Sequence, residues 1–172
     1  MHILIQGFMG CGKSTLGPKL AQALAYDFLD IDQVFIRTFK CSISDFIDDN
    51  GIRAFRTAER QILNAVIKYK TPHVIALGGG TLVQMQLLKT ILSKCVVIYL
   101  NVPLPILQKR LRKDFLNRPL LTAPNANERV NIIKSLWMKR QKYYTLSQIE
   151  ITHKTKLQVL VKRLHAFIPY TA

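Results

Sequence analysis

The stretch Gly7-Phe8-Met9-Gly10-Cys11-Gly12-Lys13-Ser14-Thr15 fits the pattern G-x-x-x-x-G-K-[ST], and each fixed position has a chemical reason. Glycine admits backbone turns closed to other residues, so successive N–H groups can converge on phosphate oxygens with no β-carbon in the way. A helix N-terminus adds partial positive charge. Lys13 reaches the β- and γ-phosphates of a nucleoside triphosphate, and the Ser14 hydroxyl is a ligand for the accompanying Mg²⁺. Gly10, Cys11, Gly12, Lys13, Ser14 and Thr15 are therefore the expected phosphate cradle.

Such a loop works only between a strand and a helix. The apolar run Ile3-Leu4-Ile5 precedes it and a helix-forming segment follows it. Apolar periodicity and chain breakers predict strands at 2–6, 27–31, 73–77, 95–100 and 148–152. They predict helices at 13–25, 33–39, 43–49, 52–68, 84–93, 104–113, 128–144 and 156–167. This alternation is the mark of an α/β fold, a parallel sheet covered by helices on both faces, with ligands at the carboxyl ends of the strands.

Three further segments fall at strand ends or between helices. Asp30 and Asp32 stand at the end of the second predicted strand, where residues two apart share a face. The strands at 73–77 and 95–100 run into Gly78-Gly79-Gly80 and Asn101, so neither supplies the acidic residue that usually helps to hold Mg²⁺ near a phosphate loop. Asp30 is thus expected in the magnesium shell, through water, and Asp32 at the hydroxyl that attacks the γ-phosphorus. The triplet Gly78, Gly79 and Gly80 implies close approach of a ligand to the backbone, with free N–H groups facing the acceptor.

Arg56 and Glu59 are three apart on a predicted helix. They are either an ordinary surface pair or, in a pocket, a guanidinium fixed for bidentate capture of a carboxylate. Between residues 111 and 123 the helical pattern breaks in a basic segment containing Arg112 and Arg118, which has the character of a lid over triphosphate. Arg140 and Tyr144 share one face of the next helix. There is neither an Asn-Lys-x-Asp sequence nor an Asp-x-x-Gly after a strand, which argues against a GTPase and leaves a small-molecule kinase.

The whole chain permits this. Its 172 residues suit one domain (1–172), with an acceptor-binding helical segment at about 32–60, and 49% apolar content argues against disorder. Three cysteines without metal-ligand spacing suit a reducing cytosol, and the start reaches the phosphate loop too early for a signal peptide. No window makes a good membrane span. The net charge is +15, and residues 60–172 carry nineteen Lys and Arg against Asp114, Glu128 and Glu150. Without a zinc spacing or an RNA-binding aromatic motif, this charge is read as serving anionic small molecules rather than nucleic acid. A cytoplasmic monomer is expected.

At these residues the chain resembles the shikimate kinases along nearly its full length. Gly-Phe-Met-Gly-x-Gly-Lys-Ser, Asp-x-Asp, Phe-Arg-x-x-Glu, Gly-Gly-Gly, Arg-Pro-Leu-Leu and a late Arg-x-x-x-Tyr occur in the family's order. The resemblance implies a nucleoside-monophosphate-kinase-like fold with three α-β-α layers, a central five-stranded parallel sheet and a mobile lid. It implies transfer of the ATP γ-phosphate to the 3-hydroxyl of shikimate with Mg²⁺, a step toward chorismate and the aromatic amino acids. By the same resemblance Asp32 binds the shikimate hydroxyls and acts as base. Arg56 and Arg140 grip the carboxylate, Glu59 orients Arg56, and Gly79 and Gly80 meet the ring. Arg118 is the lid arginine near ATP, Arg112 or Arg110 stacks on adenine, and residues 152–154 lie near adenine. Gluconate and nucleoside monophosphate kinases share the loop and sheet, and Phe-Arg-x-x-Glu with Gly-Gly-Gly sets this chain apart from them. It departs from many family members in having Gly51-Ile52 where they have Gly-Glu, and in the lid stretch Lys113-Asp114-Phe115-Leu116.

Overall fold

A computed structural model describes residues 1–112, 119–121 and 123–168. Five strands among them form one parallel sheet, β1 (Ile3–Gln6), β2 (Asp27–Asp30), β3 (His73–Ala76), β4 (Val96–Asn101) and β5 (Ile149–Thr152), in the order β2-β3-β1-β4-β5. The helices are α1 (Lys13–Leu24), α2 (Ile31–Phe39), α3 (Ile43–Val66), α4 (Met85–Leu92), α5 (Leu104–Leu111), α6 (Ala126–Tyr144) and α7 (Leu157–Leu164), with a short 3-10 turn at Pro119–Leu121.

The central strands are apolar on both faces because both are covered. Ile3, Ile5, Val74, Val96 and Ile98 point into a core closed by Leu20 of α1, Leu107 of α5, Ile133 of α6 and Leu160 of α7. Their neighbours Leu4, Ile75 and Val97 point the other way, into a core with Phe35 of α2, Leu63 of α3 and Leu88 of α4. The two-residue period of a strand thus builds the three layers. The edge strand β5 instead alternates buried Ile149 and Ile151 with exposed Glu150 and Thr152.

Register brings the working ends together. Leu4 pairs with Ile75 and Val97, Asp30 lies opposite Ala76, and Asn101 opposite Thr152. Every strand therefore ends on the same side, where the loop after β1, the start of α2 and the glycine triplet converge, as the crevice rule for open parallel sheets requires.

The helices expected at 43–49 and 52–68 are both present, as the two arms of α3 on either side of the non-helical Gly51 (φ 81°, ψ 160°). One boundary differs from expectation in a way that bears on the site: β2 ends at Asp30, and Asp32 sits in the first turn of α2 rather than on the strand tip. Asp30 is the cause, because its Oδ1 accepts the Asp32 N–H at 3.0 Å and starts the helix two residues early. The two carboxylates are brought together by a helix cap, not by strand alternation.

Candidate active site

The phosphate loop joins β1 to α1. Gly12 is the N-cap of α1 with φ 108°, a left-handed conformation that requires glycine. No side chain caps this end; the Thr15 N–H already bonds the Gly12 carbonyl at 3.1 Å, whereas those of Lys13 and Ser14 have no intrahelical acceptor by helix geometry. The Lys13 ammonium folds over the loop, donating to the carbonyls of Gly7 at 3.1 Å and Phe8 at 3.3 Å. Cys11 is buried with its Sγ 3.7 Å from Lys13 Nζ.

Ser14 Oγ donates to Asp30 Oδ2 at 2.6 Å. Asp30 therefore uses one carboxylate oxygen to start α2 and the other to meet the loop. Lys13, Ser14, Asp30 and Asp32 line a hollow of about 200 Å³. Gly10, Cys11, Gly12 and Thr15 border a larger cleft of about 510 Å³ that runs to Thr152 at the end of β5 and to His153 and Thr155 after it. Arg110, not Arg112, lines this cleft, with its Nη1 3.0 Å from the carbonyl oxygens of both Gly10 and Cys11. Arg112 is exposed at the C-cap of α5.

A second cleft lies on the other side of the loop. Asp32, Phe55, Arg56, Glu59, the glycines Gly78 to Gly80, Arg140 and Leu120 of the 3-10 turn line it. Met9, Asp32 and Gly79 border both this cleft and the phosphate hollow. Arg118 lies outside the described residues.

The Arg56–Glu59 pair is a pocket pair. Glu59 is 1% exposed, and Arg56 Nη1 donates to its Oε2 at 2.6 Å. The other oxygen, Oε1, accepts from Thr81 Oγ1 at 2.5 Å. A buried carboxylate needs both partners. Gly78 makes room for this group. A methyl there would lie 3.1 Å from Asp32 Oδ1 and 3.0 Å from Thr81 Oγ1, and would run into Glu59 Oε1.

Arg140 is 6% exposed. Burial lowers its affinity for the proton, and the neighbouring Arg56 adds to that, while Tyr144 and Glu59 oppose it. Its Nη1 donates to the Gly79 carbonyl at 3.0 Å, and the Tyr144 hydroxyl donates to the same oxygen. Burial raises the Tyr144 phenol above the ordinary tyrosine range, and Tyr144 stacks on Tyr99, whose phenol burial pushes up to about 12.

Sequence reasoning passed over Thr81 and gave Tyr144 no task. The signals were present, a hydroxyl directly after the triplet and an i, i+4 spacing from Arg140. Among the described residues no three His, Cys, Asp or Glu side chains group as a metal cluster.

The sequence model of the shikimate kinase family matches residues 9–168. A shikimate kinase from a Synechococcus species is 36% identical, over 88% of this chain and 75% of that protein. Among solved structures, the shikimate kinase of Acinetobacter baumannii in complex with shikimate superposes with a TM-score of 0.84 at 29% identity, covering 96% of this chain and 92% of that one. The enzyme from Bacteroides thetaiotaomicron gives 0.83 at 27% identity, covering 97% of each chain. With the phosphate loop, the paired carboxylates, the buried Arg56–Glu59 pair and the glycine triplet gathered at the carboxyl end of the sheet, these matches place the chain in the shikimate kinase family, the ATP-dependent kinases that phosphorylate a hydroxyl of shikimate.

Proposed function

We propose that the two clefts hold the two substrates of one transfer, ATP on the α1 loop and shikimate against Gly78 to Gly80, with the γ-phosphate passing to the 3-hydroxyl at Asp32. The observation that carries this reading is the shared wall: Met9, Asp32 and Gly79 border both the phosphate hollow and the acceptor cleft. Phosphoryl transfer requires donor and acceptor in line with little covalent help, so positioning and charge do most of the work.

The residues present fit a magnesium ion. Ser14 and Asp30 offer two hard oxygens 2.6 Å apart beside Lys13, and Mg²⁺ takes one or two protein ligands, with phosphate and water completing the octahedron. A magnesium ion held by Ser14 and Asp30 would offset the negative charge of the triphosphate. Lys13 exchanges its loop carbonyls for phosphate oxygens, and the first-turn amides of α1 hold the rest. Asp32 accepts the hydroxyl proton or orients that hydroxyl. Arg56, held by Glu59 and Thr81, and Arg140, held by Gly79 and Tyr144, take the acceptor carboxylate. By family resemblance Arg118 serves the developing phosphate charge from the lid.

Arg110 is better placed than Arg112 to border the adenine, because it lines the long cleft. The proposed setting is a cytoplasmic monomer without nucleic acid partners. Among the described residues no helix is long and apolar enough to cross a membrane.

The direct test is ADP release from Mg-ATP with shikimate, quinate, gluconate or AMP as acceptor. Selective stimulation by shikimate is expected. Stimulation by another acceptor alone would keep the kinase and overturn the acceptor-pocket reading.

A further inference from the structure

The acceptor cleft has a neighbour. A hollow of about 190 Å³ is lined by Arg56, Arg140, Gly80, Thr81 and Gln84, and also by a third arginine, Arg60. None of its described lining residues is acidic. The carboxylate beside it, Glu59, is already engaged by Arg56 and Thr81. Three arginines thus line one small space whose described lining carries no carboxylate.

Arg60 is held in place by neutral groups. Its Nε donates to the Arg56 carbonyl at 3.2 Å, Nη1 to Gln84 Oε1 at 3.0 Å and Nη2 to Thr57 Oγ1 at 3.4 Å. A guanidinium has five N–H donors, so these bonds orient the group and leave a donor on each terminal nitrogen. Gln84 is the N-cap residue of α4, yet its side chain makes no cap bond to the helix and braces Arg60 instead. A solvated surface arginine needs no such bracing, and loses side-chain entropy by accepting it.

We propose that Arg60, braced by Gln84, is a specificity-determining residue of the acceptor site. It presents a third positive charge to the carboxylate end of the substrate and biases the site toward acidic acceptors over neutral ones of the same shape. This rests on the reading above that Arg56 and Arg140 take that carboxylate.

The test compares steady-state kinetics of the full chain and its Arg60→Gln, Arg60→Lys and Gln84→Ala variants, with shikimate and with its neutral carboxamide as acceptors. Arg60→Gln is expected to raise KM for shikimate about fivefold, the size of a partly exposed charge interaction, with kcat and KM for ATP within about twofold. Its kcat/KM for the carboxamide stays unchanged. Arg60→Lys keeps most of the acid preference, Gln84→Ala loses part of it, and added salt narrows the gap between wild type and Arg60→Gln. Equal losses on acid and amide would mean a structural role and overturn the proposal, as would an unchanged KM for shikimate while Arg56→Ala and Arg140→Ala remain selectively impaired. If those two variants also leave shikimate untouched, the acceptor reading itself falls and the inference with it.

Discussion

Arg140 and Tyr144, one helical turn apart on α6, donate to the same oxygen, the carbonyl of Gly79. A peptide group is planar, so two donors on its oxygen fix the N–H of Gly80 on the opposite side. The pair therefore sets the direction of a backbone donor in the acceptor cleft while Arg140 keeps further donors for an anion.

Tyr144→Phe removes one of those donors in a buried site. Stability is expected to fall by about 1–2 kcal/mol, read from urea unfolding, and KM for shikimate to rise while KM for ATP holds. A variant as stable as wild type with an unchanged KM would show that Arg140 alone fixes the peptide.

Arg56→Ala and Arg140→Ala each delete a charge-assisted contact, worth about 1.5–3 kcal/mol. That corresponds to roughly 10- to 150-fold in shikimate affinity, measurable by titration in the presence of a non-hydrolysable ATP analogue. The two variants are expected to differ in stability. Arg56→Ala strands the Glu59 carboxylate, which is 1% exposed, and breaking one side of a buried pair is the more destabilising change. Equal weakening of ATP and shikimate binding would remove both arginines from the acceptor site.

Asp32→Asn keeps the shape of a side chain that borders both clefts and removes its charge. Turnover is expected to fall by about 10²–10⁴-fold, the usual contribution of a positioned base, with ATP affinity within a few-fold of wild type. Near-normal turnover would exclude Asp32 as the group that accepts the proton.

A pH dependence of stability is expected at the opposite end of the sheet. His2 and His73 are 6% and 7% exposed, with rings 5.6 Å apart, and His2 Nδ1 accepts the His73 backbone N–H at 3.2 Å. Burial, then the nearby His73, lowers the proton affinity of His2 below its ordinary value of 6.5. The unfolded chain thus binds the proton more readily, and this stabilisation is present above pH 6.5 and is lost as pH falls through the lowered value. Urea midpoints compared at about pH 7.5 and about pH 5.5 should drop less in His2→Leu than in wild type. Parallel drops would assign the acid sensitivity to other groups.

The order of elements was legible in the sequence because covered parallel strands read as uninterrupted apolar runs, as in Ile3-Leu4-Ile5 and Val96-Val97-Ile98. The phosphate loop was legible because its chemistry leaves little choice of residue. What stayed hidden depends on contacts between distant segments. The burial of Glu59 needs Thr81 from the loop after β3, and the place of Arg110 is set by carbonyls a hundred residues earlier, at Gly10 and Cys11. The placement of Asp32 failed for a local reason, since a cap at Asp30 competes with continuation of the strand and wins.

Met9, Asp32 and Gly79 belong to both clefts, and a methyl on Gly79 would come within 3.1 Å of the Met9 nitrogen. A partition this thin cannot be ordered from one side only. Whichever ligand arrives first stiffens it and spares the second part of that entropy, so the nucleotide and the acid should each tighten the other's binding. Linkage requires the factor to be the same whichever is added first.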